Sequence, residues 1–164
     1  MKIYVVSSIG KGTTLLSAFD NALHNAGVHN YNLIFLSSII PPASKVIKTR
    51  RYKTSPNEFG HKLYVVESEI RSAEIGAFLA AGLGWYQLED TRGYFVEHKI
   101  KGETRLAVKS EIKSLITRSL QDMCKFRKVK FSKKKLKMSI SIGQVISSPT
   151  SVMTLAVYRS EGWK

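Results

Sequence analysis

Two adjacent serines, Ser37 and Ser38, stand directly ahead of Ile39-Ile40-Pro41-Pro42. A serine hydroxyl in such a place can attack the carbonyl of the residue before it, exchanging an amide for an ester, if the surroundings strain that peptide bond. Prolines downstream restrict the residue ahead of them to extended backbone, which suits a chain held taut there. Asn32 lies six residues before Ser38, so on a regular strand the two share a face. Glu97 directly follows the apolar run Tyr94-Phe95-Val96. A carboxyl group kept protonated by apolar surroundings can deliver a proton to a carbanion. Taken alone, a serine pair is an ordinary strand end and Glu97 an ordinary carboxylate emerging from one.

The elements that must position these residues follow from periodicity. Residues 2–7 predict a short buried strand, broken by Gly10 and Gly12. Thr13 or Thr14 can cap a helix whose apolar positions are Leu15, Leu16, Phe19, Ala22, Leu23 and Ala26, with Gly27 to stop it. Asp20 falls on the border of that stripe. Asn32 to Ser37 predict a strand ended by the prolines, and residues 43–61 a long surface segment. Further strands are expected at Leu63–Val66, Ile75–Tyr86, Arg92–Lys99, Leu136–Val145 and Val152–Tyr158. The clearest helix covers 103–124, with Val108, Ile112, Leu115, Ile116, Leu120 and Met123 on one face. Two amphipathic helices and six or seven strands make an α+β protein in which each helix covers one of two packed sheets. No repeat or linker divides residues 1–164, so one domain is expected.

Composition excludes several function classes. Cys124 is the only cysteine, which rules out an intrachain disulfide and a cysteine-built zinc site. The four histidines (His24, His29, His61, His98) lack ligand spacing, so no metal is expected. Gly10-Lys11-Gly12-Thr13-Thr14 has the wrong spacing for a phosphate loop. No apolar run is long enough for a membrane span, and no secretory leader precedes residue 7, so a cytoplasmic protein is expected. The net charge of +14 raises nucleic acid as a partner. Eight of the thirteen residues from Lys125 to Lys137 are Lys or Arg, and Lys45, Lys48, Arg50, Arg51 and Lys53 form a second cluster. No RNA-binding signature accompanies them, and solvated faces explain them as well.

The run from Leu16 to Pro42 resembles the pyruvoyl-dependent arginine decarboxylases. The resemblance lies in Ala18-Phe19-Asp20-Asn21-Ala22-Leu23, in Asn30-Tyr31-Asn32-Leu33-Ile34, and in Ser37-Ser38 followed by two apolar residues and two prolines. It continues in Gly93-Tyr94-Phe95-Val96-Glu97-His98. The resemblance implies a four-layer αββα sandwich and self-cleavage between Ser37 and Ser38. Residues 1–37 would then be the β chain, and the α chain would begin with a pyruvoyl group made from Ser38. Such a group accepts the electrons released as carbon dioxide leaves, so no external cofactor is needed. The resemblance further implies Glu97 as proton donor, Asn32 beside the cleavage site, and Asp20 as partner of the substrate's distal cation. A trimer with sites between neighbours would follow, placing Glu97 near the pyruvoyl group of an adjacent protomer. Three departures, Asn21, His29 and Lys45, bear on the substrate. Arginine is expected, with ornithine as the alternative, and a basic nucleic-acid-binding protein that has lost activity as the rival class.

Overall fold

The computed structural model describes residues 1–163, so Lys164, the last residue of the expected domain, lies outside the described residues. Helix α1 (Leu15–Ala26) begins where Thr14 accepts a hydrogen bond from the Ser17 amide and ends at Gly27 in the left-handed region. Both caps agree with the sequence. The buried side of α1 is Ala18, Ala22, Leu23 and Ala26, whereas Leu15 and Leu16 are exposed. Helix α2 (Arg105–Phe126) buries Val108, Ile112, Ile116, Leu120 and Cys124, one residue per turn. Each of its aliphatic side chains removes enough apolar surface to contribute about 1.5–3 kcal/mol.

Among the described residues, nine strands form two sheets. The first contains β2 (Asn32–Phe35), β5 (Lys62–Ser72), β9 (Thr150–Glu161), β1 (Lys2–Lys11) and β4 (Lys45–Thr49), in that spatial order. The second contains β3 (Ile39–Ile40), β7 (Gly93–Gly102), β6 (Phe78–Gln87) and β8 (Lys137–Gln144). Helix α1 covers the outer face of the first sheet over Val6, Leu63, Val65 and Leu155. Helix α2 covers the second over Ala80, Val96 and Ile100. Between the sheets lie Ile3, Val5, Val66 and Ala156 from one side and Leu83, Trp85 and Phe95 from the other. The layering is therefore αββα, as expected.

Several boundaries differ from the sequence reading, for tertiary reasons. Strand β1 runs on through Gly10 to Lys11 because it stays paired with β9 there, and Gly10 leaves room for the backbone of α1. Segment 43–61, expected as surface loop, contains β4, which pairs in parallel with β1 from Lys2↔Lys45 to Val6↔Thr49. Its polar, half-exposed pattern is that of a sheet edge, which hides the strand from periodicity. The glycine-rich stretch from Ile75 is a strand, as read; at Gly84 a methyl group would meet Ile116 Cγ2 at 2.2 Å. The strand expected over Asn32–Ser37 ends at Phe35, and the chain then leaves the first sheet for the second.

A test of this packing lies at Gly10, where a Cβ would fall 2.1 Å from the Ala22 amide nitrogen and 2.3 Å from the Ala18 carbonyl. Backbone cannot yield as a side chain can. Gly10→Ala is expected to destabilise the fold by roughly 1–3 kcal/mol, read as a lower midpoint in thermal or urea unfolding.

Candidate functional site

The site forms where the chain crosses between sheets. Strand β2 pairs with β5 only as far as Phe35↔Val65, and β3 pairs with β7 only at Ile39↔Tyr94 and Ile40↔Gly93. The connection Leu36-Ser37-Ser38 thus spans the gap between a sheet edge on β5 and another on β7. It is tied at both ends. The Leu36 amide donates to the Val65 carbonyl at 2.9 Å, and the Phe95 amide donates to the Ser38 carbonyl at 2.8 Å. The Tyr158 hydroxyl donates to the Ile39 carbonyl at 2.9 Å, fixing the next residue from the first sheet. Burial, with Glu97 nearby, raises the pKa of that hydroxyl, so it remains a donor.

Ser38 itself has φ 68°, a left-handed conformation that L-residues other than glycine avoid. The cost is roughly 1–2 kcal/mol, sustained by the ties on either side. Ser38 is buried at 7% exposure, while Ser37 is exposed. The Ser38 hydroxyl donates to Glu97 Oε2 at 2.9 Å. A cavity of about 330 Å³ opens beside them, lined by both serines, Glu97, His98, Ser119 and Met123. His98 bonds Ser119 Oγ at 2.8 Å, and its own burial lowers its pKa, favouring the neutral ring.

Glu97 also lines a second cavity of about 290 Å³ on the α1 side of the crossover, with Phe19, Phe35, Leu36, Glu67, Glu69, Arg71 and Lys99. The two cavities share a single carboxylate. Such an arrangement can hold a substrate between a buried serine-derived group and a carboxyl group.

The other expected residues are elsewhere in the chain. Asn32 is exposed at the start of β2, where its amide donates to the Gly60 carbonyl at 2.7 Å. The shared face argued from regular spacing does not exist, because the strand stops before Ser38. Asp20 is exposed on α1; its neighbour Phe19 reaches the second cavity and Asp20 does not line it. Glu97 meets Ser38 of its own chain. Glu97 is exposed, so its own chain does not supply the expected apolar enclosure. Of the departures, Asn21 accepts the Lys11 amide at 3.0 Å, Lys45 lies on the opposite sheet edge, and His29 packs tilted against His24 with ring centroids 4.6 Å apart. None of the three lines either cavity. Among the described residues no cluster of potential ligands could hold a metal, and no helix is long and apolar enough to cross a membrane.

A family profile described as pyruvoyl-dependent arginine decarboxylase matches residues 2–161. The chain belongs to that family. Proteins carrying the same family name include one from Picrophilus torridus, 32% identical over 105 residues, and one from Thermoplasma volcanium, 34% identical over 107. Each match covers 63% of this chain and 57% of the relative. A pyruvoyl-dependent arginine decarboxylase from Halobacterium salinarum is 37% identical over 98 residues, 58% of this chain and 59% of its own. The matched spans therefore cover less than two thirds of these relatives.

The family's covalent group fits the position of Ser38. The residue is buried, faces a cavity and touches a carboxylic acid, and its left-handed φ belongs to an N–Cα bond that is lost when the group forms. Sequence reasoning missed Tyr158 and Glu67. Tyr158 looks like one more core residue of an apolar strand. Glu67 alternates with buried residues, and only the folded edge brings it near Glu97.

Ser38→Ala lacks the attacking hydroxyl and is expected to stay one uncut polypeptide. Ser37→Ala keeps the attacked carbonyl and is expected to be cut. Intact-mass spectrometry reads both outcomes.

Proposed function

We propose that the protein cleaves itself between Ser37 and Ser38 and then decarboxylates L-arginine to agmatine and carbon dioxide. The observation that carries the reading is the hydrogen bond from the Ser38 hydroxyl to Glu97 at 2.9 Å, on a residue held at positive φ at the crossover. In the cleavage, Ser38 Oγ attacks the Ser37 carbonyl carbon as the C–N bond breaks, and the hydroxyl proton ends on the freed nitrogen. Elimination then removes the Ser38 α-hydrogen and releases Ser37 as a carboxylate. Water hydrolyses what remains to the ketone, with loss of ammonia. Residues 1–37 and 38–164 are then the two chains of one domain.

When formed, the pyruvoyl group supplies the electron sink for loss of carbon dioxide. This chain's residues do the rest. Glu97, within hydrogen-bond reach of Ser38, hands a proton to the substrate's α-carbon. The Phe95 amide and Tyr158 hydroxyl hold the backbone on which the group sits. Asp20 and Asn32, which do not meet Ser38 in their own chain, would act on a neighbouring copy. A homo-oligomer, a trimer by family resemblance, would supply that arrangement. The exposed side chains of Leu16, Phe35 and Ile39, 71%, 65% and 49% exposed, give such contacts an apolar surface. Covering by a neighbour would also give Glu97 the enclosure its own chain lacks.

Glu97→Gln keeps a hydrogen-bond acceptor for Ser38 and loses the acid. Cleavage is expected to persist while carbon dioxide release falls about 10²-fold or more. Asp20→Asn is expected to raise KM more than it lowers kcat, since it removes binding to a remote cation. Wild-type protein is expected to release carbon dioxide faster from arginine than from ornithine or lysine, compared at equal concentration. Faster release from ornithine would replace the substrate and leave the mechanism standing.

A further inference from the structure

The second cavity already holds a guanidinium, that of Arg71. Its Nε and Nη2 donate to the two oxygens of Glu69 at 2.9 and 3.0 Å, and its Cζ lies over the Phe19 ring, 4.0 Å from the centroid. Fork on carboxylate and face on aromatic ring are the two contacts that distinguish a guanidinium from an ammonium. Glu69 is further held by the Ser151 hydroxyl at 2.8 Å, so the fork is braced. Two residues earlier on the same strand, Glu67 lines the same cavity and makes no side-chain hydrogen bond among the described residues. Glu97 and Lys99 reach the cavity from β7, while α1 and the β2 end contribute only Phe19, Phe35 and Leu36. Three carboxylates against two cations make this a locally acidic cleft in a protein of net charge +14.

We propose that this cleft receives the guanidinium of the substrate beside that of Arg71, and that Glu67 is the residue that pairs with it and sets the preference for arginine. The proposal rests on the decarboxylase reading of the same site. It assigns cation selection to the edge of β5 in the chain that carries Ser38, in addition to any contribution from Asp20. An incoming guanidinium meets an open carboxylate next to a place where one guanidinium is already accommodated, and its α-carbon end points toward the acid shared with Ser38. Burial and the neighbouring Glu69 push the Glu67 carboxyl up to about 7, against the lowering effect of Arg71 and Lys99. Below that pH Glu67 is neutral and pairs with no cation; above it the charge is present. Cation binding through Glu67 therefore strengthens as pH rises through about 7.

The test titrates agmatine and putrescine into purified full-length wild-type, Glu67→Gln and Glu67→Asp proteins by calorimetry at pH 6 and pH 8. Intact mass and carbon dioxide release are measured on the same samples. Expected is a Glu67→Gln protein that folds and is cut like wild type but binds agmatine about tenfold or more weakly at pH 8, the size of one charged hydrogen bond. The loss should shrink at pH 6, be smaller for putrescine, and be partly rescued in Glu67→Asp. Unchanged agmatine affinity in a cut, active Glu67→Gln protein would overturn the inference and leave the decarboxylase reading standing. So would an equal loss at both pH values. A wild-type protein that is never cut and releases no carbon dioxide would sink the underlying reading, whatever it binds.

Discussion

The hydrogen bond from the Phe95 amide to the Ser38 carbonyl, at 2.8 Å, joins the last residue of the crossover to the second sheet. Much else depends on that anchorage. Ser38 can stay in a left-handed conformation only because its carbonyl is held on β7 while Leu36, two residues earlier, is held on β5. Without both ties the segment would relax to a conformation without that strain. The ties in turn require that the sheets pack at a fixed separation, which Val66, Ile3 and Val5 against Leu83, Trp85 and Phe95 provide. Core packing and the geometry of one serine are thus a single problem.

The electrostatics work at a shorter range than the composition suggests. A charge of +14 repels a cationic amino acid at long range, yet salt screens it beyond about 8–10 Å. What a ligand meets in the cleft is a local excess of carboxylate, Glu67, Glu69 and Glu97 against Arg71 and Lys99. The two basic clusters lie elsewhere: Lys125, Arg127 and Lys128 at the end of α2, three lysines in the following turn, and Lys48 on β4 with its Nζ on the Met138 carbonyl at 2.7 Å. They are divided among separate elements.

The layers, both helices and most strands were legible because burial imposes a period on them: every turn of α2 carries a buried residue, and Gly27 stands where the C-cap needs it. What was hidden has a common physical cause. Strand β4 and the length of β5 are edge or half-exposed, so no apolar alternation marks them. The end of β2 at Phe35 depends on where its partner strand lies. Ser37-Ser38 and Glu97 could be picked out in the sequence, and the fold brings Ser38 and Glu97 together. Asn32 and Asp20 lie away from Ser38 within the chain, since the spacing argument for Asn32 assumed a strand that does not continue. Glu67 carried no local mark, because its significance comes from lining one cavity with Glu97, thirty residues away in the chain, rather than from its neighbours in sequence.

The position of the crossover has a consequence for the lifetime of the protein. Residues 1–37 contribute β1, α1 and β2, and β1 sits inside its sheet, paired with β9 on one side and β4 on the other. A break between Ser37 and Ser38 would therefore release nothing, since the short piece is woven between strands of the long one. It would, however, turn refolding from a one-body into a two-body event, dependent on the concentration of the separated pieces. Such a molecule would endure through its barrier to unfolding rather than through its ability to recover, and each unfolding would tend to be its last.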